Sequence, residues 1–216
     1  MEAKPISPGV VAATPPRQWS AHAVDAVERV FLLCLFAWFV SRIMPSVTGQ
    51  PYNMLILVSE SLTAFLILVR RPGPMANSVY AWTIAIVGTC SPLFVLPAGE
   101  TLIPVAVAAF MMLFGLFLSI SAKAFLRRSF GLVAASRGVR RGGPYRLVRH
   151  PMYSGYVITQ IGFLLLNPSL WNVAVYAVTW STLLMRVLEE ERFLSQDPAY
   201  RDYMADVRYR LFPGVF

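Results

Sequence analysis

Apolar and polar residues alternate along this chain in long blocks, not in the short periods of a soluble domain. Residues 1–21 are polar and proline-rich (Pro5, Pro8, Pro15, Pro16). Apolar segments then run from about Val24 to Met44, Tyr52 to Val69, Ser78 to Leu96 and Leu102 to Phe125. Each is near the ~20 residues that a helix needs to cross a hydrocarbon core. In lipid only a helix satisfies its own backbone hydrogen bonds. Arg70-Arg71-Pro72-Gly73-Pro74 stops the second segment, Pro97 and Gly99 the third, and Arg127-Arg128 the fourth. A polar, basic stretch covers 127–150. Two apolar pieces follow, Tyr153–Leu166 and Leu170–Leu188, joined by Asn167-Pro168-Ser169. They predict a helical hairpin whose first arm is short for a full crossing. Residues 189–216 are amphipathic, and no internal repeat is present.

The pattern predicts an all-α integral membrane protein with about five to six transmembrane helices. It divides into a disordered lead-in (1–21), a four-helix transmembrane region (22–126) and a C-terminal region (127–216) that ends the chain with the hairpin and an amphipathic tail. No basic region followed by an apolar core and a small-residue cleavage site opens the sequence, so no signal peptide is expected. Composition agrees. Of 216 residues, 56% are hydrophobic and 14% charged, against about 25% charged in a soluble domain. Cys34 and Cys90 both sit in apolar runs, which argues against a disulfide framework or a cysteine metal site.

Charge sets the orientation. The net charge is +8, and 13 of the 19 basic residues lie from Lys123 onward. Arg70 and Arg71 follow the second segment, and eight basic residues with no acidic one fill 123–149. Stretches 45–51 and 97–101 carry no Lys or Arg. The positive-inside rule then places both termini, the 70–76 loop and the 123–150 segment in the cytoplasm. The plain role of these arginines is topology and attraction to anionic headgroups, at roughly 1 kcal/mol each near the surface. Nucleic-acid binding is not expected, because membrane segments flank the patch and few aromatics are present for base stacking.

Three stretches carry candidate chemistry. In Gly143-Pro144-Tyr145-Arg146-Leu147-Val148-Arg149-His150-Pro151-Met152-Tyr153-Ser154-Gly155, a histidine stands at the membrane edge before an apolar helix. Pro151 suits that helix's first turn, whose free N–H groups suit a polar or anionic ligand. Gly155 lets a ligand or another helix approach closely. The plain alternative is a helix cap with an aromatic anchor. Arg186 and Glu190 are four apart and share a helix face. Glu189, Glu190 and Glu191 stand together at a helix C-terminus and oppose its dipole, so at least one needs a basic or cationic partner. Glu60 lies mid-segment in Ser59-Glu60-Ser61, which is costly in lipid. It is expected to face the bundle interior, for a structural hydrogen bond or for substrate access.

The order Gly143-Pro144-Tyr145, Arg149-His150-Pro151-x-Tyr153-x-Gly155, apolar hairpin, Arg186-x-x-x-Glu190-Glu191, then Tyr200-x-x-Tyr203 and Pro213 resembles the isoprenylcysteine carboxyl methyltransferase family. Related integral-membrane phospholipid methyltransferases share it. The resemblance covers roughly 140–214. It implies S-adenosylmethionine as methyl donor, bound on the cytoplasmic side by the C-terminal region, which becomes the catalytic region. It implies cofactor contacts from Pro144, Tyr145, Arg149, His150, Pro151, Tyr153 and Gly155, with Tyr200 and Tyr203 closing over the cofactor. Arg186 and Glu190 would line the catalytic end. Where that family has a glycine, this chain reads Ser195-Gln196-Asp197-Pro198.

Such chemistry needs alignment in a dry site. A carboxylate acceptor needs no base, whereas an amine must lose its proton to a group such as Glu190. Arg186 either holds an acidic group of the acceptor or orients Glu190. The acceptor is lipophilic or membrane-tethered, with carboxylate, amine and thiol all open. The membrane is a bacterial inner membrane or an endoplasmic reticulum, the compact chain favouring the former. A membrane reductase of the sterol-reductase type, which uses NADPH, shares Arg-His-Pro-x-Tyr-x-Gly and is the alternative. The Arg186-x-x-x-Glu190-Glu191 element favours the methyltransferase. A transporter would show paired broken helices or repeat symmetry, which this sequence lacks.

Overall fold

The computed structural model describes residues 18–68, 79–126 and 141–216. Most of the expected lead-in, the Arg70-Arg71 loop and the basic stretch 127–140 lie outside the described residues. Those described form seven α-helices and no strand: α1 Gln18–Val47, α2 Asn53–Leu68, α3 Val79–Cys90, α4 Val105–Leu126, α5 Pro151–Leu166, α6 Leu170–Leu194 and α7 Pro198–Asp206. Short 3-10 turns cover Ser91–Phe94 and Gly143–Arg146.

Several boundaries differ from the apolar blocks. Helix α1 starts at Gln18, inside the expected lead-in, and runs through Pro45. The third apolar block is helical only to Cys90, where Pro92 tightens the chain into a 3-10 turn. Helix α6 continues past Leu188 through all three glutamates to Leu194, so the acids do not end it. Among the described residues, two helices are long and apolar enough to cross a membrane by length and composition, over Arg29–Val47 and Val105–Phe125. The apolar parts of α2, α3 and α5 are shorter.

Close approach of α4 and α5 organises the molecule. A Cβ on Gly155 would fall 2.2 Å from Ser119 Oγ and 2.5 Å from the Gly115 carbonyl oxygen. One on Gly162 would fall 2.9 Å from the Ala108 carbonyl oxygen. Small residues thus let the two backbones touch, as in membrane helix pairs. Thr159 Oγ1 donates to the Met112 carbonyl and Ser119 Oγ to the Met152 carbonyl, at 3.3 and 3.2 Å.

Around this pair α1 packs on α2, and α3 on α6. Phe39, Ile43, Ile56, Met112, Phe163, Leu166 and Tyr176 fill the core between them. Outward, α4 shows Phe110 at 69% and Phe117 at 68% exposure. Large aromatics so exposed suit lipid, not water.

One end of the bundle is tied by three fully buried asparagines. Asn167 Nδ2 donates to Asn53 Oδ1 (3.3 Å), and Asn172 Nδ2 to the Leu96 and Asn167 carbonyls (2.7 Å each). The Leu96 amide in turn donates to Asn172 Oδ1. These bonds satisfy loop backbone that apolar surroundings would leave unpaired. They also set the N-terminus of α2 beside the C-terminus of α5, so the two helices run antiparallel.

Candidate functional site

The opposite end of the bundle gathers the motif residues. His150 caps α5, its carbonyl accepting from the Tyr153 and Ser154 amides at 3.1 Å each. Pro151 occupies the first turn, where no intrahelical N–H is lost. The tail returns to this point. The Arg149 and His150 amides donate to the Tyr209 and Arg210 carbonyls at 2.9 and 2.8 Å, and Ser154 Oγ to the Leu211 carbonyl at 2.6 Å.

A buried carboxylate sits beneath this clamp. Arg149 Nε and Arg210 Nε each donate to Glu191 at 2.6 Å, and His150 Nε2 lies 3.2 Å from Glu191 Oε1. Arg149 spends its remaining nitrogens on Glu191 Oε2 and the Val207 and Arg208 carbonyls. Burial alone would raise the Glu191 carboxyl. Hydrogen bonds from His150, Arg149 and Arg210 outweigh it and hold the group at about 2. Sequence reasoning foresaw a basic partner for one of the three acids. It did not single out Glu191 among them, nor pair it with Arg210, which sits beyond the tail helix.

A second cluster is aromatic. The 3-10 turn presents Tyr145, which packs with Ala122, Tyr200, Tyr203 and Val207. Gly143 permits this turn, with φ +58 and the Phe125 ring 2.4 Å from where a Cβ would stand. Pro144 follows within the turn's first residues. Tyr203 Oη donates to the Tyr145 carbonyl at 2.7 Å, and Arg141 bonds Asp206 and the Ala199 carbonyl. Asp197 caps α7 by accepting from the Ala199 amide, with Pro198 in the first turn. The stretch that departs from the resembled family therefore makes an orderly helix start. Burial raises the Tyr145 and Tyr200 phenols and lifts Tyr203 to about 12, so all three are neutral donors at pH 7.

The third group faces a cleft between α2, α3, α5 and α6. Tyr153 Oη donates to Glu190 Oε2 at 3.3 Å, and the Arg186 guanidinium carbon stands 5.7 Å from the Tyr153 ring centroid. Tyr153 also stacks on His150, with centroids 5.8 Å apart and planes at 23°. The cleft takes in about 470 Å³ of space between the helices, open solvent included. Glu60, Thr63, Tyr153, Tyr156, Gln160 and Arg186 are among its lining residues.

The structure thus brings Arg186, Glu190 and Tyr153 together. It sets Arg149, His150 and Pro151 in the clamp beside them, and Pro144, Tyr145, Tyr200 and Tyr203 in the aromatic cluster. Gly155 faces α4. Of its two sequence-derived roles, close helix approach is the one that the geometry displays. Glu60 does face the bundle interior, on the cleft.

Residues 103–200 match the family model of phospholipid methyltransferases. The match takes in α4, α5, α6 and the start of α7. It supports a membrane methyltransferase of the general type that the motif order resembles, without singling out the isoprenylcysteine carboxyl methyltransferases. No curated protein matches the chain.

Proposed function

We propose that the protein is an S-adenosylmethionine-dependent methyltransferase that modifies a lipophilic or membrane-associated acceptor at the cytoplasmic membrane face. One observation carries this reading. Tyr153 joins a cleft among apolar helices to the polar clamp of the basic, C-terminal end, through Glu190 and Arg186 on one side and His150 on the other. A lipid-phase acceptor and a water-soluble donor must meet at such a junction.

The residues present fit that donor in charge. Glu190 is a half-buried carboxylate held by the Tyr153 phenol, suited to face a sulfonium cation. S-adenosylmethionine supplies an electrophilic methyl group there. Glu190 complements positive charge in the site and takes the proton of an amine acceptor where one is bound. Arg186 orients Glu190 across the Tyr153 ring and holds an acidic group of the acceptor. Tyr145, Tyr200 and Tyr203 form the wall that α7 closes against the turn, and exclude water. Arg149 directs every guanidinium nitrogen to the chain itself, so its part is to position His150 and the tail.

The test is transfer of a labelled methyl group from S-adenosylmethionine to lipid-phase acceptors by the protein in nanodiscs. Arg186→Ala and Glu190→Gln should each lower turnover about a hundredfold or more, with helical content unchanged. Label transfer that survives both substitutions removes the pair from the site. NADPH consumption without methyl transfer would favour the reductase instead.

A further inference from the structure

The deep end of the cleft is polar, although apolar helices build it. Glu60 is 6% exposed, and among the described residues no hydrogen bond engages its carboxylate. It lies on the cleft wall with Gln160. Gln160 Oε1 accepts from Trp180 Nε1 at 2.9 Å, which leaves its amide NH2 for the cleft. Lys123 on α4 stands within electrostatic reach of Glu60. Its Nζ lies 4.9 Å from the Tyr156 ring centroid and has no hydrogen-bond partner. A carboxyl group left without a hydrogen bond inside such a bundle is costly unless something binds it.

Depth follows from helix geometry. Thr63 Oγ1 donates to Tyr156 Oη at 3.4 Å, so these two residues are level. Since α2 and α5 run antiparallel, Glu60 and Gln160 both lie one turn deeper. Tyr153, with Arg186 and Glu190, stands about one turn on the other side of Tyr156. Seven residues from Tyr153 to Gln160 span roughly 10 Å at helical rise.

We propose that the cleft is a two-ended acceptor site. Glu60 and Gln160 bind a hydroxyl group of the acceptor, which donates to the carboxylate and accepts from the amide, about two helical turns from the reacting end. The role of the outer end rests on the methyltransferase proposal. The acceptor is then no plain hydrocarbon with a single polar head; it carries a second polar group along its length. Glu60 determines this specificity, and it lies outside residues 103–200 that match the methyltransferase family.

The probes are 1,8-octanediol and 1-octanol, which differ only in the second hydroxyl. Each is titrated against wild type, Glu60→Gln and Glu60→Leu in nanodiscs, with ligand-dependent thermal stability as readout. Comparing the diol-to-alcohol affinity ratio between proteins cancels partitioning into lipid. The wild-type ratio should exceed that of Glu60→Leu about tenfold, with Glu60→Gln between them. Should Glu60→Leu not fold, a drop of about threefold in Glu60→Gln serves. Equal ratios in wild type and variants, as a merely water-filled cleft would give, overturn the proposal. S-adenosylmethionine binding is measured on the same samples. Diol preference without it sinks the methyltransferase proposal alone; binding without diol preference sinks this one alone.

Discussion

Glu190 and Glu191 are chain neighbours with separate tasks. A helix turns about 100° per residue, so Glu190 meets Tyr153 at the cleft while Glu191 meets Arg149, His150 and Arg210. The unfolded Glu191 carboxyl titrates near 4.5 and the folded one near 2. Its contribution to stability is therefore complete above pH ~4.5 and is lost as the pH falls toward 2. The shift corresponds to on the order of 3 kcal/mol. Unfolding followed across this window should show wild type losing about that much relative to Glu191→Gln. The variant starts lower, because Arg149 then keeps a buried charge without its counter-ion. Parallel acid profiles for the two proteins would show that Glu191 is not the linked group. The sequence announced a pairing, since three acids oppose the helix dipole. It did not announce which acid, because the partners come from the α5 cap and from a tail some 20 residues downstream, and only tertiary structure chooses between adjacent side chains.

Among the elements, the α4–α5 contact decides whether the site exists, because it sets the Tyr145 turn and α5 against the end of α4. Gly155→Ala places a methyl group against both Ser119 and the Gly115 carbonyl. A loss of about 3 kcal/mol or more in unfolding free energy is expected. Adding Ser119→Gly should restore only part of it, since the backbone carbonyl remains. Gly49→Ala, with nothing within 4 Å of the new methyl, is the neutral control; similar losses at Gly49 and Gly155 would refute the close-packing account. Helix existence was legible throughout, because each apolar block has the length of one helix. Helix ends were less so. Cys90 ends α3 inside an apolar run because Pro92 tightens the turn, and α6 outlasts its apolar face because Glu191 and Leu194 still find partners in the C-terminal packing. The Arg-His-Pro stretch was legible as a helix start. That Arg149 serves the tail was not, since its acceptors are backbone carbonyls with no sequence signature.

For the molecule as a whole, apolar exterior and basic end divide the labour. Exposed aromatics on α4 suit a lipid boundary, while Arg149 and Arg210 mark the face where the tail closes over α5. Asparagines tie the far end of the bundle and the Glu191 clamp ties the near end. The cleft lies in the interior between, and its Arg186 end, beside Glu190, is where the proposed reaction stands or falls. Calorimetric titration of the purified protein with S-adenosylmethionine, with NADPH as the parallel titrant, addresses this without knowledge of the acceptor. Saturable binding of S-adenosylmethionine, weakened about tenfold or more by Glu190→Gln, and no NADPH binding is the outcome expected. Binding of NADPH in its place, or no binding of S-adenosylmethionine to folded protein, would show that the site serves a different chemistry.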